Sequence, residues 1–358
     1  MSPPLSAHRP LSPGHVLDIY QFQNVLGNAG AFGVTYAARN LSSGAKVAIK
    51  ELFPSDYVFR NAAGRVVVQS TSDQAIFDEA MRMFRREADI LSRVAHDNVV
   101  KVFDYLEANG TGYMVMQYEE GYDLKIHLER QKPSRLNENE LRKLLMPLLA
   151  GLEAVHNLNY LHRDIKPSNI YLTTGHKPML LDFGAARQIV VSRSRPVEQI
   201  LTPPFGAIEQ YGQTAPQGPF TDIYAMGVVL FTAMLPGERF PNAPDRLAND
   251  SFVPLTRRLH GQEYSQQFLG AVDWALKVRA EQRPQNISSW REALESGRYL
   301  QLNGKKGGFG TGFFSRLLQP GFWLELWKKH PLTVILILSG AIFLTAAIVM
   351  VMYFLPSD

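Results

Sequence analysis

The sequence predicts an α+β protein whose strands lie in the first third of the chain and whose helices follow, with one long apolar segment near the end. Short runs of alternating apolar and polar residues begin at Ile19, as in strands that face a core on one side. Apolar residues at helical spacing dominate later, most clearly over residues 137–159. Residues 332–355 then form a stretch of 24 positions without a charged side chain. These observations predict a globular α+β region and a separate apolar helix.

The composition is typical of a folded protein that contains no cysteine. Of the 358 residues, 46% are hydrophobic and 20% are charged, which is a globular profile. There is no cysteine, so disulfides and thiolate metal sites are excluded. The formal net charge of +4 comes from residues 297–330, where six Lys or Arg accompany one Glu. Residues 1–296 carry no net charge, so the charge pattern argues against a nucleic-acid partner.

The early strands are predicted to surround one helix and one insertion. Residues 77–94 place Met81, Phe84, Ala88 and Leu91 on one helical face. Residues 56–72 contain a turn-forming Asn-Ala-Ala-Gly segment before an apolar run, which predicts an inserted hairpin. Strand-type runs are predicted at 20–26, 47–50, 96–102 and 113–118, the last two joined by a turn at Asn109-Gly110.

Residues 161–184 carry the clearest chemical signal in the chain. Asp164 can accept the proton of an incoming hydroxyl, and Lys166 can neutralise a moving phosphoryl group. Asn169 and Asp182 offer the hard oxygen ligands that Mg²⁺ prefers. Phosphoryl transfer requires a positioned nucleophile, cancelled charge and metal-bound phosphates. The stretch therefore predicts a phosphoryl-transfer site.

The order H-R-D-x-K-P-x-N, followed after twelve residues by D-F-G, resembles the catalytic and metal loops of eukaryotic-type (Hanks-type) protein kinases. The resemblance covers roughly residues 20–296 and implies a two-lobed fold, with a β-rich small lobe, a helical large lobe, and ATP and Mg²⁺ between them. Lys166 and Thr202 favour Ser or Thr over Tyr as the acceptor. The inserted hairpin and its flanking sequences look like those of a bacterial branch. The resemblance thus implies a serine/threonine protein kinase.

Within this resemblance, Gly27, Gly30 and Gly33 are similar to a Gly-rich phosphate loop, with one extra residue between the first two glycines. Considered alone, the loop is also consistent with a plain β-hairpin turn. Lys50 alone is likewise consistent with a lysine at the edge of a strand. Glu87 matches the glutamate that pairs with Lys50, and Glu79 is the alternative. Met116 is the expected gatekeeper before a hinge that pairs with adenine. The residues assigned to ATP are Leu26, Gly27, Gly30, Phe32, Gly33, Val34, Ala48, Lys50, Glu87, Met116, Gln117, Tyr118, Glu119 and Asp123.

The same family pattern implies several supporting residues. Glu209 is expected to pair with Arg283 and tie down the end of the activation segment, in which Ala207-Ile208-Glu209 replaces the usual Ala-Pro-Glu. Asp222 is expected to steady the catalytic loop, although it also fits a helix N-cap. Ser192 and Ser194 lie among basic residues and are candidate phosphorylation sites. Structural or regulatory roles are assigned to Arg163, Phe183, Gly184, Thr202, Glu209, Asp222 and Arg283.

The two ends of the chain differ from the middle. Residues 1–15 are rich in Pro and Ser and are expected to be a disordered lead-in to a kinase domain at 16–296. Residues 297–330 combine a Gly-rich linker with a basic, aromatic juxtamembrane segment. The apolar stretch 332–355 would span about 36 Å as a helix, enough to cross a bilayer. Since Lys328 and Lys329 precede it, we expect a single-pass anchor in the inner membrane with the kinase domain in the cytoplasm.

Two other functions fit parts of this pattern. A catalytically weak nucleotide-binding scaffold, or pseudokinase, would agree with the lengthened Gly-rich loop. The second is a small-molecule kinase of related fold. It is disfavoured by Thr202, Glu209 and Arg283, because in the family these residues support the surface that binds a protein substrate. The partners expected from the resemblance are protein substrates with Ser or Thr acceptors, the lipid bilayer and a second copy of the chain, with no nucleic acid.

Overall fold

The first part of the chain forms a six-stranded antiparallel sheet. The structure, a computed structural model, describes residues 10–27, 32–131, 135–183, 203–212, 215–259, 261 and 263–296. In their spatial order, the strands of this sheet are β1 (Val16–Leu17), β2 (Tyr20–Val25), β3 (Gly33–Asn40), β4 (Lys46–Leu52), β8 (Thr111–Gln117) and β7 (Val102–Ala108). Burial alternates over the first four residues of β2 and of β3, as predicted for strands that face a core on one side.

Helix α1 (Gln74–Ser92) packs against this sheet through one apolar face. Phe77, Ala80, Phe84, Ala88 and Leu91 are buried, and their spacing of three or four residues places them along one stripe. Glu87 is also buried on this face. A carboxylate is costly to bury unless a cation meets it, so its position predicts a nearby cation.

The inserted hairpin is confirmed as β5 (Val58–Arg60) paired with β6 (Val66–Val68). Arg60 forms an ion pair of 2.7 Å with Glu51, which is wholly buried at the end of β4. The same carboxylate accepts hydrogen bonds of 2.8 Å from the hydroxyls of Tyr36 and Tyr113. Because every partner of this buried charge is a donor, the group stabilises the docking of the hairpin against the sheet.

The second part of the chain is mainly helical. Its small sheet has the order β11-β10-β9, with β9 at Gly121–Asp123, β10 at Ile170–Thr173 and β11 at Pro178–Leu180. Asn137 caps the longest of the helices here by accepting from the Glu140 N–H, while Glu140 caps the Asn137 N–H in return. The helices of the described residues in this part are α2 (Leu124–Gln131), α3 (Glu138–His156), α4 (Pro219–Met234), α5 (Ala243–Ala248), α6 (Leu255–Arg258), α7 (Gln266–Ala275) and α8 (Ile287–Ser296).

Two sequence predictions about local structure are wrong. Residues 10–15 belong to the folded part, since Leu11 is buried and its N–H donates to the Tyr36 hydroxyl at 3.1 Å. Residues 96–101 form no strand of the large sheet, in contrast to the strand predicted at 96–102. Val100 N–H donates to the Leu180 carbonyl instead, and Val99 forms an isolated bridge to Leu180. Asn98, Val99 and Val100 are therefore buried against β11 and do not extend β7.

The predicted membrane anchor lies outside the described residues, as do residues 1–9 of the lead-in and the linker at 297–330. Across the ranges that the structure describes, no helix combines the length and apolar character needed to cross a membrane.

Candidate active site

The loop between α3 and β10 brings three of the predicted polar residues into one hydrogen-bonded group. One carboxylate oxygen of Asp164 lies 2.8 Å from Lys166 Nζ and 2.9 Å from Asn169 Nδ2. Asn169 Nδ2 also donates to the Asp164 backbone carbonyl at 2.8 Å. The carboxylate is thus held in one orientation by a cation and an amide. A carboxylate held in this way can accept a proton from a hydroxyl placed against it.

Asp222 holds the backbone of this loop from inside the helical part. Its carboxylate accepts the His162 N–H at 2.9 Å and the Arg163 N–H at 2.7 Å, and it lies 2.8 Å from His156 Nε2. Burial raises the pKa of Asp222, but the contact with His156 and the other donors outweighs burial and lowers the pKa below its ordinary value. Arg163 has a φ of 66°, a strained backbone that these bonds hold in place.

The alternative assignment of Asp222 as a helix N-cap is wrong. Gly218 is the N-cap of α4, and Asp222 lies one turn inside the helix. The side chain of Asp222 is therefore available to the catalytic loop. A further bond to this loop comes from Gln210 Nε2, which donates to the Arg163 carbonyl at 2.8 Å. The sequence analysis did not single out Gln210, and no pattern in the sequence connects it to Arg163.

Lys50 lies between two carboxylates that are far apart in sequence. Its Nζ is 2.9 Å from Asp182 and 4.0 Å from Glu87. Burial lowers the pKa of Lys50, but the charges of Asp182 and Glu87 outweigh burial and raise it overall. Conversely, Lys50 holds the pKa of Asp182 below its ordinary value. The alternative partner Glu79 pairs with Arg82 on the exposed face of α1, so Glu87 is the α1 carboxylate that faces Lys50.

Phe183 fixes the segment that carries Asp182. The Phe183 ring is buried and stacks on the His162 ring with a centroid distance of 4.3 Å. Burial also lowers the pKa of His162, which favours the neutral ring beside Phe183. Asp182 has a φ of 53°, so the backbone turns sharply before Phe183. Gly184, the next residue of the motif, lies outside the described residues.

Asn169 and Asp182 are suitable ligands for a divalent cation. The Leu181 N–H donates to the Asn169 carbonyl at 2.9 Å, which brings the two residues side by side. Asn169 uses its amide nitrogen on Asp164, so its amide oxygen is the atom suited to a cation. Among the described residues there is no cluster of three His, Cys, Asp or Glu that could hold a metal. Two hard oxygen donors fit Mg²⁺, which is usually held by few protein groups together with phosphates and water.

The Gly-rich loop is described only at its two ends. Gly27 has a φ of +67°, a backbone conformation that other residues rarely adopt. At Gly33 a Cβ would lie 2.5 Å from the Glu51 carbonyl, so the close approach of β3 to β4 requires glycine. Leu26 N–H donates to the Thr35 carbonyl at 2.7 Å, and the Phe32 carbonyl accepts from Phe53 N–H at 3.1 Å. Gly30 lies outside the described residues.

The register of β3 and β4 corrects the assignment of Val34. Val34 pairs with Glu51, and Thr35 pairs with Lys50. Directly opposed residues of antiparallel strands share a face of the sheet. Val34 therefore lies buried on the face opposite to Lys50, and Thr35 occupies the β3 position beside Lys50. The sequence analysis missed Thr35 because its face depends on which residue of β4 it opposes.

The predicted gatekeeper and hinge form the end of β8 and the link to β9. Met116 is buried and pairs with Ala48 on β4. Gln117 donates its backbone N–H to the Lys101 carbonyl at 2.9 Å, and its side chain contacts Glu119. Lys46 Nζ lies 4.0 Å from the centre of the Tyr118 ring. The hinge therefore connects the two sheets next to Ala48.

Two further side chains adjoin the hinge. Asp123, the predicted ribose contact, accepts the Ile126 N–H at 2.8 Å and so caps the start of α2. Tyr171 donates its hydroxyl to the Glu119 carbonyl at 3.2 Å. The sequence analysis missed Tyr171, which lies two residues after Asn169. Its only sequence signal is a polar aromatic residue inside an apolar strand, which does not reveal a hinge contact.

Glu209 and Arg283 form the predicted ion pair, with Arg283 Nη1 2.8 Å from Glu209 Oε1. Both side chains are buried. Thr221 Oγ1 donates to the same carboxylate oxygen at 2.7 Å. Arg283 also donates to the carbonyls of Lys277 and Val278, at 2.7 and 2.6 Å. The pair joins the segment at 208–210 to α4 and to the loop before α8. Thr202, which was assigned to the same part of the chain, lies outside the described residues.

Replacing Arg283 by Met is expected to lower the free energy of unfolding by about 3–5 kcal/mol, because it leaves the buried Glu209 charge without its cation. The control is Glu153→Gln, which removes a part-exposed ion pair with Arg291 and should cost less than about 1 kcal/mol. Urea denaturation followed by circular dichroism measures both. Equal effects of the two substitutions would contradict the assignment.

The family model described as "Protein kinase domain" matches residues 20–296. Serine/threonine-protein kinase pkn2 of Myxococcus xanthus is 29% identical over 305 residues, covering 82% of this chain and 34% of the relative. Serine/threonine-protein kinase B of Synechocystis is 33% identical over 235 residues, covering 61% of this chain and 38% of the relative. The chain thus spans little more than a third of either relative.

Among solved structures, the apo form of PpkA-294 is 37% identical, with a TM-score of 0.73. The likeness covers 80% of this chain and 99% of that one. The family model spans the large sheet from β2 onward, α1, the catalytic loop and the helices through α8. The residues that meet around Asp164, Lys50 and Asp182 all lie within the matched range. The chain therefore belongs to the protein kinase domain family.

Proposed function

We propose that this chain transfers the γ-phosphoryl group of ATP to Ser or Thr hydroxyls of proteins. The observation that carries the proposal is the Asp164 carboxylate, held by Lys166 and Asn169. The names of the curated relatives, both serine/threonine-protein kinases, agree with this activity. The Glu209–Arg283 pair fits a protein acceptor better than a small molecule, since it braces the segment next to the catalytic loop.

Each residue of the site has a separate role in the reaction. Asp164 orients the acceptor hydroxyl and takes its proton as the bond from the hydroxyl oxygen to the γ-phosphorus forms and the bond from that phosphorus to ADP breaks. Lys166, at 2.8 Å from Asp164, neutralises charge on the transferred group. Lys50, on β4, binds the phosphates of ATP, and Glu87, on α1, holds Lys50 in position. Asn169 and Asp182 would hold Mg²⁺, which supplies positive charge to the phosphates when bound.

An assay with ATP labelled at the γ-phosphate and a mixture of casein, histone and myelin basic protein tests the proposal. Label is expected on Ser and Thr of the acceptors and none on Tyr, with dependence on added Mg²⁺. Binding of ATP without transfer would favour the scaffold function. Transfer to a small hydroxylated metabolite but to no protein would favour the small-molecule kinase.

The membrane anchor is part of the proposal. Its support is the run of 24 uncharged residues at 332–355, preceded by basic and aromatic residues at 313–329. Lys328 and Lys329 favour a cytoplasmic side for the residues before them. A Gly-rich linker at 303–312 separates this segment from the kinase domain, so the anchor localises the enzyme without taking part in its fold.

Full-length protein is expected to pellet with membranes and to resist extraction by salt or alkaline carbonate. A chain ended after Ser296 should be soluble and folded, with turnover close to that of the full chain, because the last helix of the domain ends there. A chain ended at His330 should bind anionic vesicles weakly and leave them as salt screens its cations. Release of the full-length protein by salt alone would contradict the anchor.

Phosphorylation of the chain itself is proposed at Ser192 or Ser194, which lie outside the described residues. A cavity of about 390 Å³ next to the catalytic loop is lined by Arg86 and Arg163. Within the described ranges, Arg163 Nε and the Tyr160 hydroxyl are buried there without a hydrogen-bond partner. Phosphate oxygens would supply acceptors to both donors and meet the arginine charges.

Mass spectrometry of active protein is expected to find phosphate on one of these serines, and its replacement by Ala should lower activity. The control is Ser288→Ala, which removes an exposed hydroxyl on α8, away from the catalytic loop. Phosphate found only on Thr202, or at no site, would contradict the assignment.

A further inference from the structure

The inserted hairpin β5–β6 lies between the two elements that carry the Lys50–Glu87 pair. Strand β4, which carries Lys50, ends at Leu52, and helix α1, which carries Glu87, begins at Gln74. The hairpin occupies the middle of the chain between these two ends. The relative position of β4 and α1 therefore depends on how the hairpin is attached to each of them and to the sheet.

The first attachment is the ion pair between Arg60 and Glu51 at the end of β4. Arg60 Nη2 lies 2.7 Å from both carboxylate oxygens of Glu51. Glu51 is wholly buried, and only 5% of the Arg60 side chain is exposed. Arg60 Nη1 also donates to the Gly64 carbonyl at 2.9 Å, so the same guanidinium closes the turn of the hairpin. Because Glu51 directly follows Lys50, the hairpin holds the strand residue next to Lys50.

Lys50 and Glu51 point to opposite faces of the sheet, as consecutive residues of a strand do. Helix α1 lies on the face of Lys50, since Glu87 is 4.0 Å from Lys50 Nζ. Arg60 meets Glu51 on the other face. The hairpin thus supports β4 from the face away from α1, and a change at Arg60 removes no group from the face that carries Lys50.

The second attachment joins the hairpin to the turn between β7 and β8. The Val66 N–H donates to the Asn109 carbonyl at 2.7 Å. A Cβ at Gly110 would lie 2.4 Å from the Val66 carbonyl oxygen. The two backbones are therefore in direct contact, and a larger residue at position 110 would push the hairpin away from this turn.

The third attachment lies at the start of α1. The Gln69 N–H donates to the Tyr57 carbonyl at 2.7 Å, and Gln69 Nε2 donates to the Ser55 carbonyl at 2.9 Å. Asp73 then accepts the Ser70 N–H at 3.1 Å, within the single turn that precedes α1. The link from the hairpin to α1 is short and hydrogen-bonded, so α1 starts from a fixed point beside the hairpin.

We propose that the hairpin β5–β6 is a positioning element of the ATP site and that Arg60 is its positioning residue. The hairpin joins β4 and the start of α1 into one unit, which keeps Lys50 and Glu87 within ion-pair distance. Charge that is held in place before the reaction costs no reorganisation during it. This inference rests on the proposed kinase activity, and it adds a residue on the face of the sheet opposite to Lys50.

The test compares Arg60→Met with Arg60→Lys in the full-length protein in detergent. Arg60→Met should raise the KM for ATP and lower kcat, with a loss of about 10–100-fold in kcat/KM, because small misplacements of reacting groups are costly. Arg60→Lys keeps a cation for Glu51 and should recover most of the activity. The KM for casein should stay unchanged in both variants. Rates are measured well below each melting temperature, so that unfolded protein does not contribute.

A double-mutant cycle distinguishes positioning from a purely structural role. Glu87→Gln already breaks the pair with Lys50, so adding Arg60→Met should lower kcat/KM for ATP by less than about threefold. The melting temperature should fall by the same amount in both backgrounds, since the Arg60–Glu51 pair is lost in both. Equal kinetic losses in the two backgrounds would overturn the inference.

Gly110→Ala displaces the hairpin without removing a charge, and it decides the question if Arg60→Met does not fold. This variant should also raise the KM for ATP and lower kcat. Gly64→Ala is the matched control, because its φ of +78° is close to the +74° of Gly110 but a Cβ there meets no atom within 4 Å. Equal ATP kinetics of the two glycine variants would overturn the inference, as would wild-type kinetics of Arg60→Met.

Failure of the wild type to phosphorylate any acceptor would remove the kinase proposal and not the positioning role. Titration with a fluorescent ATP analogue would then measure that role, since Lys50 contributes to nucleotide binding with or without transfer. Weaker binding by Arg60→Met and Gly110→Ala than by Gly64→Ala is expected. Equal affinity of all three variants and the wild type would overturn the inference.

Discussion

Replacing Asp164 by Asn is expected to lower kcat by roughly 10²–10⁴-fold, because the substitution removes the group that accepts the hydroxyl proton. The amide has the same shape as the carboxylate and can still accept from Asn169, so the loop should keep its conformation. The substitution does not change the ion pair between Lys50 Nζ and Asp182 Oδ1, which lie 2.9 Å apart. Binding of ATP should therefore survive the loss of transfer.

Single-turnover transfer to casein and titration with a fluorescent ATP analogue measure these two properties separately. The control is Asp97→Asn, which changes an exposed aspartate outside this hydrogen-bonded group. Near-normal turnover of Asp164→Asn would remove Asp164 from the mechanism. Loss of nucleotide binding together with turnover would indicate that the substitution disturbs the fold of the loop.

Replacing Lys50 by Met is expected to lower kcat/KM by roughly 10²–10³-fold, the usual cost of losing one preorganised electrostatic group. The substitution also leaves Glu87 buried without its cation, and it removes the main cause of the low pKa of Asp182. The loss should appear in both the KM for ATP and kcat, since Lys50 joins the phosphate site to the residues around Asp182.

A double-mutant cycle identifies the partner of Lys50. Glu87→Gln should add little to Lys50→Met, because each substitution already breaks the same pair. Glu79→Gln is the matched control on the same helix, and its effect should simply multiply with that of Lys50→Met, since Glu79 pairs with Arg82. Multiplicative losses with Glu87→Gln would show that Glu87 does not act through Lys50.

Much of the fold follows from local patterns in the sequence. Helix α3 was predicted over 137–159 and lies at Glu138–His156, because a wide apolar face and the Asn137–Glu140 capping box both act within a few residues. The hairpin β5–β6 follows from its turn residues in the same way. By contrast, the strand predicted at 96–102 is absent over residues 96–101, where Val100 bonds to Leu180. The short apolar pair Val99-Val100 does not distinguish burial against β11 from a place in the large sheet.

The catalytic stretch could be predicted because its members are close in sequence. Asp164, Lys166 and Asn169 lie within six residues, and their spacing alone brings them together in one loop. The pairs formed by Lys50 with Glu87 and by Glu209 with Arg283 were predicted from the resemblance to a family. Periodicity alone could not have paired them, since each joins two elements that meet only in the folded chain.

The sequence by itself determined the kind of chemistry and a strand-rich first part followed by helices. The tertiary structure decided which side chains lie beside Lys50 and the hinge. It placed Thr35 and not Val34 beside Lys50, and it brought Tyr171 to the hinge carbonyl of Glu119. The physical reason is that the face of a residue depends on the register of its partner strand, and a one-residue shift reverses every assignment.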